Sequence, residues 1–162
     1  MDEIGGDALR RNPGLEVLAP FLGVWRTSGS HPVMPGQVLE GRISFAWHEG
    51  GAFVIMHSEM RQPEVPPGVA IFGSDDNGDM AMLYFDRRGV SRHYRVSVDE
   101  REMRWSRDDS KFSQRMRLTL SADGSEISQT GQLREEGGVW QEDLTLSYRR
   151  IPLEATSGAG TG

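Results

Sequence analysis

The stretch Met80 to Tyr94, "MAMLYFDRRGVSRHY", holds the side chains best suited to gripping a ligand. "DRRG" reads as a type I turn with Gly89 in the left-handed position, which makes a three-residue hairpin loop. That register sets Tyr84 opposite Arg92 and Met82 opposite Tyr94, so these four share one face with Met80. Leu83, Phe85, Ser91 and His93 share the other. Turned inward, the first face offers a guanidinium flanked by phenols and flexible thioethers, which suits an amphipathic molecule with an anionic or carbonyl group. Turned outward, Arg92 becomes half of a surface ion pair.

Proton-moving chemistry points elsewhere, to His57 and to Glu59 two residues on, because histidine is the side chain most easily tuned near neutral pH. Their placement depends on the preceding turn. A three-residue "EGG" loop pairs His48 with Ala52 and gathers Ile43, Phe45 and Trp47 with Phe53, Ile55 and His57. A two-residue loop instead sets Trp47 beside Val54 and His57 beside Ser44, because one residue of slip exchanges the faces. The three-residue register is expected, since it collects the aromatics on one side. His57 is then either a hydrogen-bonded barrel histidine or a ligand contact and general base. Alternation in "EMRWSR" and "KFSQRMRLTL" adds Trp105, Gln114, Phe112 and Met116 as further wall residues, with Arg115 and Arg117 towards solvent.

Other chemistries are excluded. With no cysteine in the chain there is no disulfide, thiolate nucleophile or zinc ribbon. His31, His48 and His93 have no metal-ligand spacing, and no Ser-His-Asp set or phosphate loop is present. "DDNGD" lacks the calcium-loop spacing and its terminal Glu. No metal or cofactor is expected. A net charge of −6 argues against nucleic acid as a partner, since phosphate tracking needs clustered Lys and Arg. The N-terminus lacks a signal-peptide apolar run and no stretch approaches the ~20 apolar residues of a membrane span, so a cytoplasmic protein is expected.

The elements that must hold these side chains are strands. The 162 residues suit one domain. From Asp7 to Leu22 the apolar residues Leu9, Leu15, Val17, Leu18, Phe21 and Leu22 fit short helical pieces interrupted at Pro13 and Pro20, with Asp7 as N-cap. Residues 1–22 are thus a helical lead-in and cap. About ten alternating runs follow over residues 23–151, separated by short links such as "EGG", "DDNGD", "DRRG", "SADG" and "EEGG". Links this short join only antiparallel neighbours. A ten-stranded meander escapes its edge problem by closing into an up-and-down barrel, with a two-sheet sandwich as the alternative. The loop "RQPEVPPG", Arg61 to Gly68, is either a cavity portal or a rigid crossover. Residues 152–162 are expected to be a flexible tail.

"GVW", Gly23 to Trp25, is similar to the G-x-W signature of lipocalins and other calycins. That resemblance implies that Trp25 closes the barrel base and that an arginine of the last strand, "LTLSYRR", packs across it: Arg150, or failing that Arg149. A buried indole under a guanidinium gains both apolar burial and a cation–π term. "GVAIFGSDDNGDMAMLYFDRRGVSRHYRVSVDE", "FSQRMRLTLSADG" and "LTLSYRR" also resemble bacterial lipocalin-like proteins of unassigned function, over about Phe21 to Arg150. "GVWRTSGSHP" resembles the haem-binding nitrobindin group through Gly23, Trp25, Gly29 and Pro32. That group carries its haem-ligating histidine on the last strand, where this chain has none.

The expected function is binding of a small hydrophobic or amphipathic molecule among Trp47, His57, Met82, Tyr84, Arg92, Tyr94, Trp105 and Gln114. An isomerase or cyclase using His57 or Glu59 is the alternative, and a haem or nitric-oxide carrier the third.

Overall fold

The computed structural model describes residues 11–152. The Asp7 cap, Leu9 and the tail from residue 153 onward lie outside the described residues. An N-terminal 3-10 helix, Pro13–Phe21, precedes eleven strands: β1 Gly23–Ser30, β2 Leu39–His48, β3 Phe53–Met60, β4 Gly68–Ser74, β5 Met80–Asp86, β6 Ser91–Val98, β7 Glu102–Arg107, β8 Phe112–Leu120, β9 Glu126–Glu135, β10 Gln141–Glu142 and β11 Thr145–Arg150. Each strand from β1 to β9 pairs antiparallel with the next, and β11 pairs with both β9 and β1. The result is a closed ten-stranded barrel, with the two-residue β10 added on β9. Closure gives each of the ten barrel strands a neighbour on both sides, so none of them is an edge for another chain to extend. Among the described residues no helix is long and apolar enough to cross a membrane.

The helix seals one end. Pro13 occupies its first turn, where a missing N–H does no harm, and the Asn12 side chain accepts from Gly14 N–H at 2.9 Å. Asn12 also ties the helix to two strand ends, donating its backbone N–H to Gly51 C=O at 2.8 Å and its Nδ2 to Ser74 Oγ at 2.9 Å. Leu15, Leu18 and Phe21 are buried beneath it against the core.

Trp25 packs at the same end as the helix. It is fully buried, donates Nε1–H to Phe21 C=O at 2.9 Å, and lies 4.1 Å below the Arg150 guanidinium, its partner in the β1–β11 register. Arg150 donates to the carbonyls of Leu22 at 2.6 Å, Pro20 at 2.9 Å and Gly124 at 3.2 Å, stitching the helix to the strands. Gly23 is required here. Its φ is +126°, and a Cβ on it would lie 2.8 Å from Arg150 Nη1.

Two registers differ from expectation. The β2–β3 connection uses four residues, Glu49 to Ala52, because Glu49, Gly50 and Gly51 all take positive φ and coil into a tight helical turn. His48 therefore pairs with Phe53, Trp47 with Val54, and Ser44 with His57. The inner face of β3 is Val54 and Met56, both buried, and His57 and Glu59 face outward and are exposed. The segment expected as one last strand, Val139 to Arg150, is also interrupted. β10 pairs Gln141 with Leu133, whereas β11 pairs Leu146 with Gln129, so the last strand carries one residue more than β9 between these points. That surplus is a β-bulge at Asp143 and Leu144.

Candidate functional site

The barrel end opposite Trp25 opens into a cavity of about 690 Å³. Its floor is apolar and soft: Ile43, Met56, Met82, Trp105 and Met116 meet there. Tyr148 and Gln129 close the bottom through a hydrogen bond from the phenol to the amide oxygen, and Gln129 Nε2 donates to Met116 Sδ at 3.5 Å. Burial pushes the Tyr148 phenol above its ordinary range, so it remains a donor. Val65 and Pro66 of the proline-rich loop stand at the mouth with Met34, which places that loop at the cavity rim.

Polar groups form a band below the rim, supplied by the strand ends at the open side. The β5–β6 hairpin has the register read from "DRRG": Tyr84 pairs with Arg92 and Met82 with Tyr94, and all four line the cavity. Arg92 stacks on Phe112, its guanidinium carbon 4.2 Å from the ring centroid, and among the described residues it has no carboxylate within 4.0 Å. Arg107 also approaches Phe112, at 5.9 Å, and its buried Nε has no hydrogen-bond partner there. Opposite Arg107 on β8 is Gln114, whose amide links two strands. It accepts from Tyr94 O–H at 2.5 Å and donates Nε2–H to Asp143 Oδ2 at 2.6 Å. Burial raises the Tyr94 phenol, which keeps its proton for that bond.

Asp143 reaches this band because of the bulge. Strict alternation would send one of two consecutive residues outward, but the extra residue lets both Asp143 and Leu144 face the cavity. Asp143 is only 6% exposed. Its Oδ1 bonds His31 Nε2 at 2.9 Å, and His31 Nδ1 accepts from Val33 N–H at 3.0 Å. The second bond fixes the tautomer: Nδ1 is the acceptor, so Nε2 carries the hydrogen and donates it to Asp143. At the rim, Tyr84 donates to Asp86 Oδ2 at 2.9 Å, and Arg88 holds the same carboxylate through Nε at 3.2 Å and Nη2 at 2.7 Å.

The expected site residues therefore divide. Met82, Tyr84, Arg92, Tyr94, Trp105 and Gln114 come together around the cavity. Trp47 lies at the closed end, half-buried under Arg11 at 5.3 Å. His57 and Glu59 line a shallow depression on the outer wall with Arg42 and Arg87, because the four-residue turn reverses the face of β3. His31, Asp143 and Arg88 are cavity residues that sequence patterning does not pick out. Asp143 is hidden by the bulge, since an alternating strand would have put it outside with Glu142's neighbours. His31 sits past the end of β1, where alternation gives no direction.

No family model matches the chain, and no curated protein matches it. The solved structure of Rv2717c from M. tuberculosis is similar at 18% identity with a TM-score of 0.65, covering 88% of this chain and all of that one. At that identity the likeness shows the barrel fold alone. A redesigned β-barrel matches at 15% identity over 84% of this chain and 96% of its own, with a TM-score of 0.38, too low to bear on the fold.

The residues present do not fit haem ligation by histidine. His48, His57 and His93 are exposed on the outside, and His31, the one histidine lining the cavity, has both ring nitrogens engaged.

Proposed function

We propose that this protein binds a small amphipathic molecule in the barrel cavity, tail on the methionine and tryptophan floor and anionic or carbonyl head against Arg92. The observation that carries this reading is Arg92 itself, a cation lining the cavity with no carboxylate within 4.0 Å among the described residues. A half-buried guanidinium without a carboxylate partner is free to donate a charge-assisted hydrogen bond to an arriving anionic or carbonyl group. Stacking on Phe112 holds the guanidinium in position. The volume, about 690 Å³, falls within the range of small-molecule pockets. Thioethers adapt to irregular tails, which favours a class of ligands over a single rigid one. The closure of the barrel by Trp25 and Arg150 supports grouping the chain with lipocalin-like barrels, whose common use of the fold is a ligand cavity.

Titration calorimetry with decanoate and with decanol tests it. A charge-assisted hydrogen bond is worth about 1.5–3 kcal/mol, so Arg92→Leu should weaken decanoate about 10-fold or more and change decanol little. Equal affinity of decanoate for wild type and Arg92→Leu would overturn the anchor. Absence of binding by both compounds would overturn the cavity reading.

A further inference from the structure

Below its rim the cavity is lined by two charges of opposite sign that have no ion-pair partner of full charge among the described residues, Asp143 and Arg92. Asp143 is an almost fully buried carboxylate whose partners, the Gln114 amide and the Nε2–H tautomer of His31, are both neutral. Among the described residues no arginine or lysine lies within ion-pair distance of it. Arg92 is half-buried and likewise has no ion-pair partner among the described residues. Opposite charges in one low-dielectric cavity would ordinarily be brought into contact, because separate burial costs each its hydration. Here Asp143 is met instead by a neutral chain, the Gln114 amide at 2.6 Å and, through it, the Tyr94 phenol at 2.5 Å. The bulge that turns Asp143 inward gives up regular pairing at that point to do so.

We propose that the ligand's head group is zwitterionic: an anionic group meets Arg92, and an ammonium or comparable cationic donor meets Asp143. This rests on the cavity reading above and assigns the second half of the head group. A compact head with ammonium and carboxylate on neighbouring atoms presents both charges to the lining that Arg92 and Asp143 share. Such a ligand neutralises both charges at once. A simple anion neutralises one and leaves its own charge near the Asp143 carboxylate. Glu64 and Glu135 at the rim add negative potential on the approach, which also disfavours a purely anionic ligand.

Three compounds with one tail separate the possibilities by calorimetry at neutral pH: decanoate, decylamine and 2-aminodecanoate. The expected result is that 2-aminodecanoate binds wild type at least 10-fold more tightly than decanoate, and that Asp143→Asn brings the two within about 2-fold. The wild-type comparison alone decides the matter if the variant fails to fold. If decanoate binds wild type as tightly as 2-aminodecanoate, the zwitterion assignment is overturned and the anionic-ligand reading stands. If decylamine equals 2-aminodecanoate, the carboxylate adds nothing and the assignment falls too. If none of the three binds, both readings fall together.

Discussion

At the scale of single residues, the closed end depends on three side-chain positions that fit only each other. Gly23, Trp25 and Arg150 form a stack in which glycine leaves room for the guanidinium, the guanidinium covers the indole, and the indole fills the base. Gly23→Ala adds a Cβ into that guanidinium at a φ of +126°, a strain of about 1–3 kcal/mol. The urea midpoint should fall accordingly. In an Arg150→Leu background the steric part disappears and only the backbone part remains, so the double-mutant cycle should show a coupling of about 0.5 kcal/mol or more. Strict additivity would mean that Arg150 does not occupy the space above Gly23. The rim triad of Tyr84, Asp86 and Arg88 makes a second prediction. The Arg88 hydrogen bonds, chiefly, hold the Asp86 carboxyl at about 2, whereas an unfolded aspartate titrates near 3.9. A carboxyl depressed on folding stabilises the native state fully above about pH 4, and this contribution is lost as pH falls towards the folded value. The stability difference between wild type and Asp86→Asn should therefore shrink between about pH 5 and about pH 2.5, measured by urea midpoints. A difference that stays constant over this window would show that Arg88 does not engage the carboxylate.

At the scale of elements, two connections decide what the cavity contains. The four-residue β2–β3 turn sends His57 outward, so His57→Gln should leave decanoate affinity within about 2-fold, the ordinary range for a surface substitution. A loss of 10-fold or more would restore the three-residue register. The contrast between the two hairpins explains what was legible from sequence. "DRRG" has one glycine at the position a three-residue loop requires, and it fixed Tyr84 against Arg92 without ambiguity. "HEGGA" has two glycines in succession, both able to take positive φ, and Glu49 joins them, so the turn absorbs an extra residue that composition does not reveal. A count of aromatics then favoured the wrong face, because Val54 and Met56 are as buried as an aromatic would have been. The strand spans and meander order were readable because each follows from period-2 alternation and short links, whereas the stacking of Arg150 on Trp25 was expected only from the resemblance of "GVW" to the G-x-W signature. The Asp143 bulge was not, since the interruption arises from pairing with β9, a partner that the local pattern of "WQEDLTLSYRR" does not contain. His31 was invisible for the related reason that its bonds, to Asp143 and Val33, come from a loop and a distant strand.

At the scale of the whole molecule, the barrel is a run of local hairpins closed by one long-range pairing. Each neighbour from β1 to β9 is joined by a short or moderate link, but β1 meets β11 only after the entire chain has been laid down. Loop-closure entropy rises with the length enclosed, so the β5–β6 hairpin is the less costly contact to form early and the β1–β11 seam the more costly. Two buried side chains sample these regions. Met82 pairs with Tyr94 across β5–β6, and Leu146 sits opposite Gly29 across the seam. Either change to alanine should cost about 2–5 kcal/mol at equilibrium, enough to read kinetically by stopped-flow fluorescence of the buried Trp25. Met82→Ala should slow folding, with a φ-value well above that of the seam, whereas Leu146→Ala should leave the folding rate nearly unchanged and place its effect in faster unfolding. The reverse order would mean that the ends meet first and the hairpins fill in afterwards, and barrel closure would then be the nucleus rather than the last step.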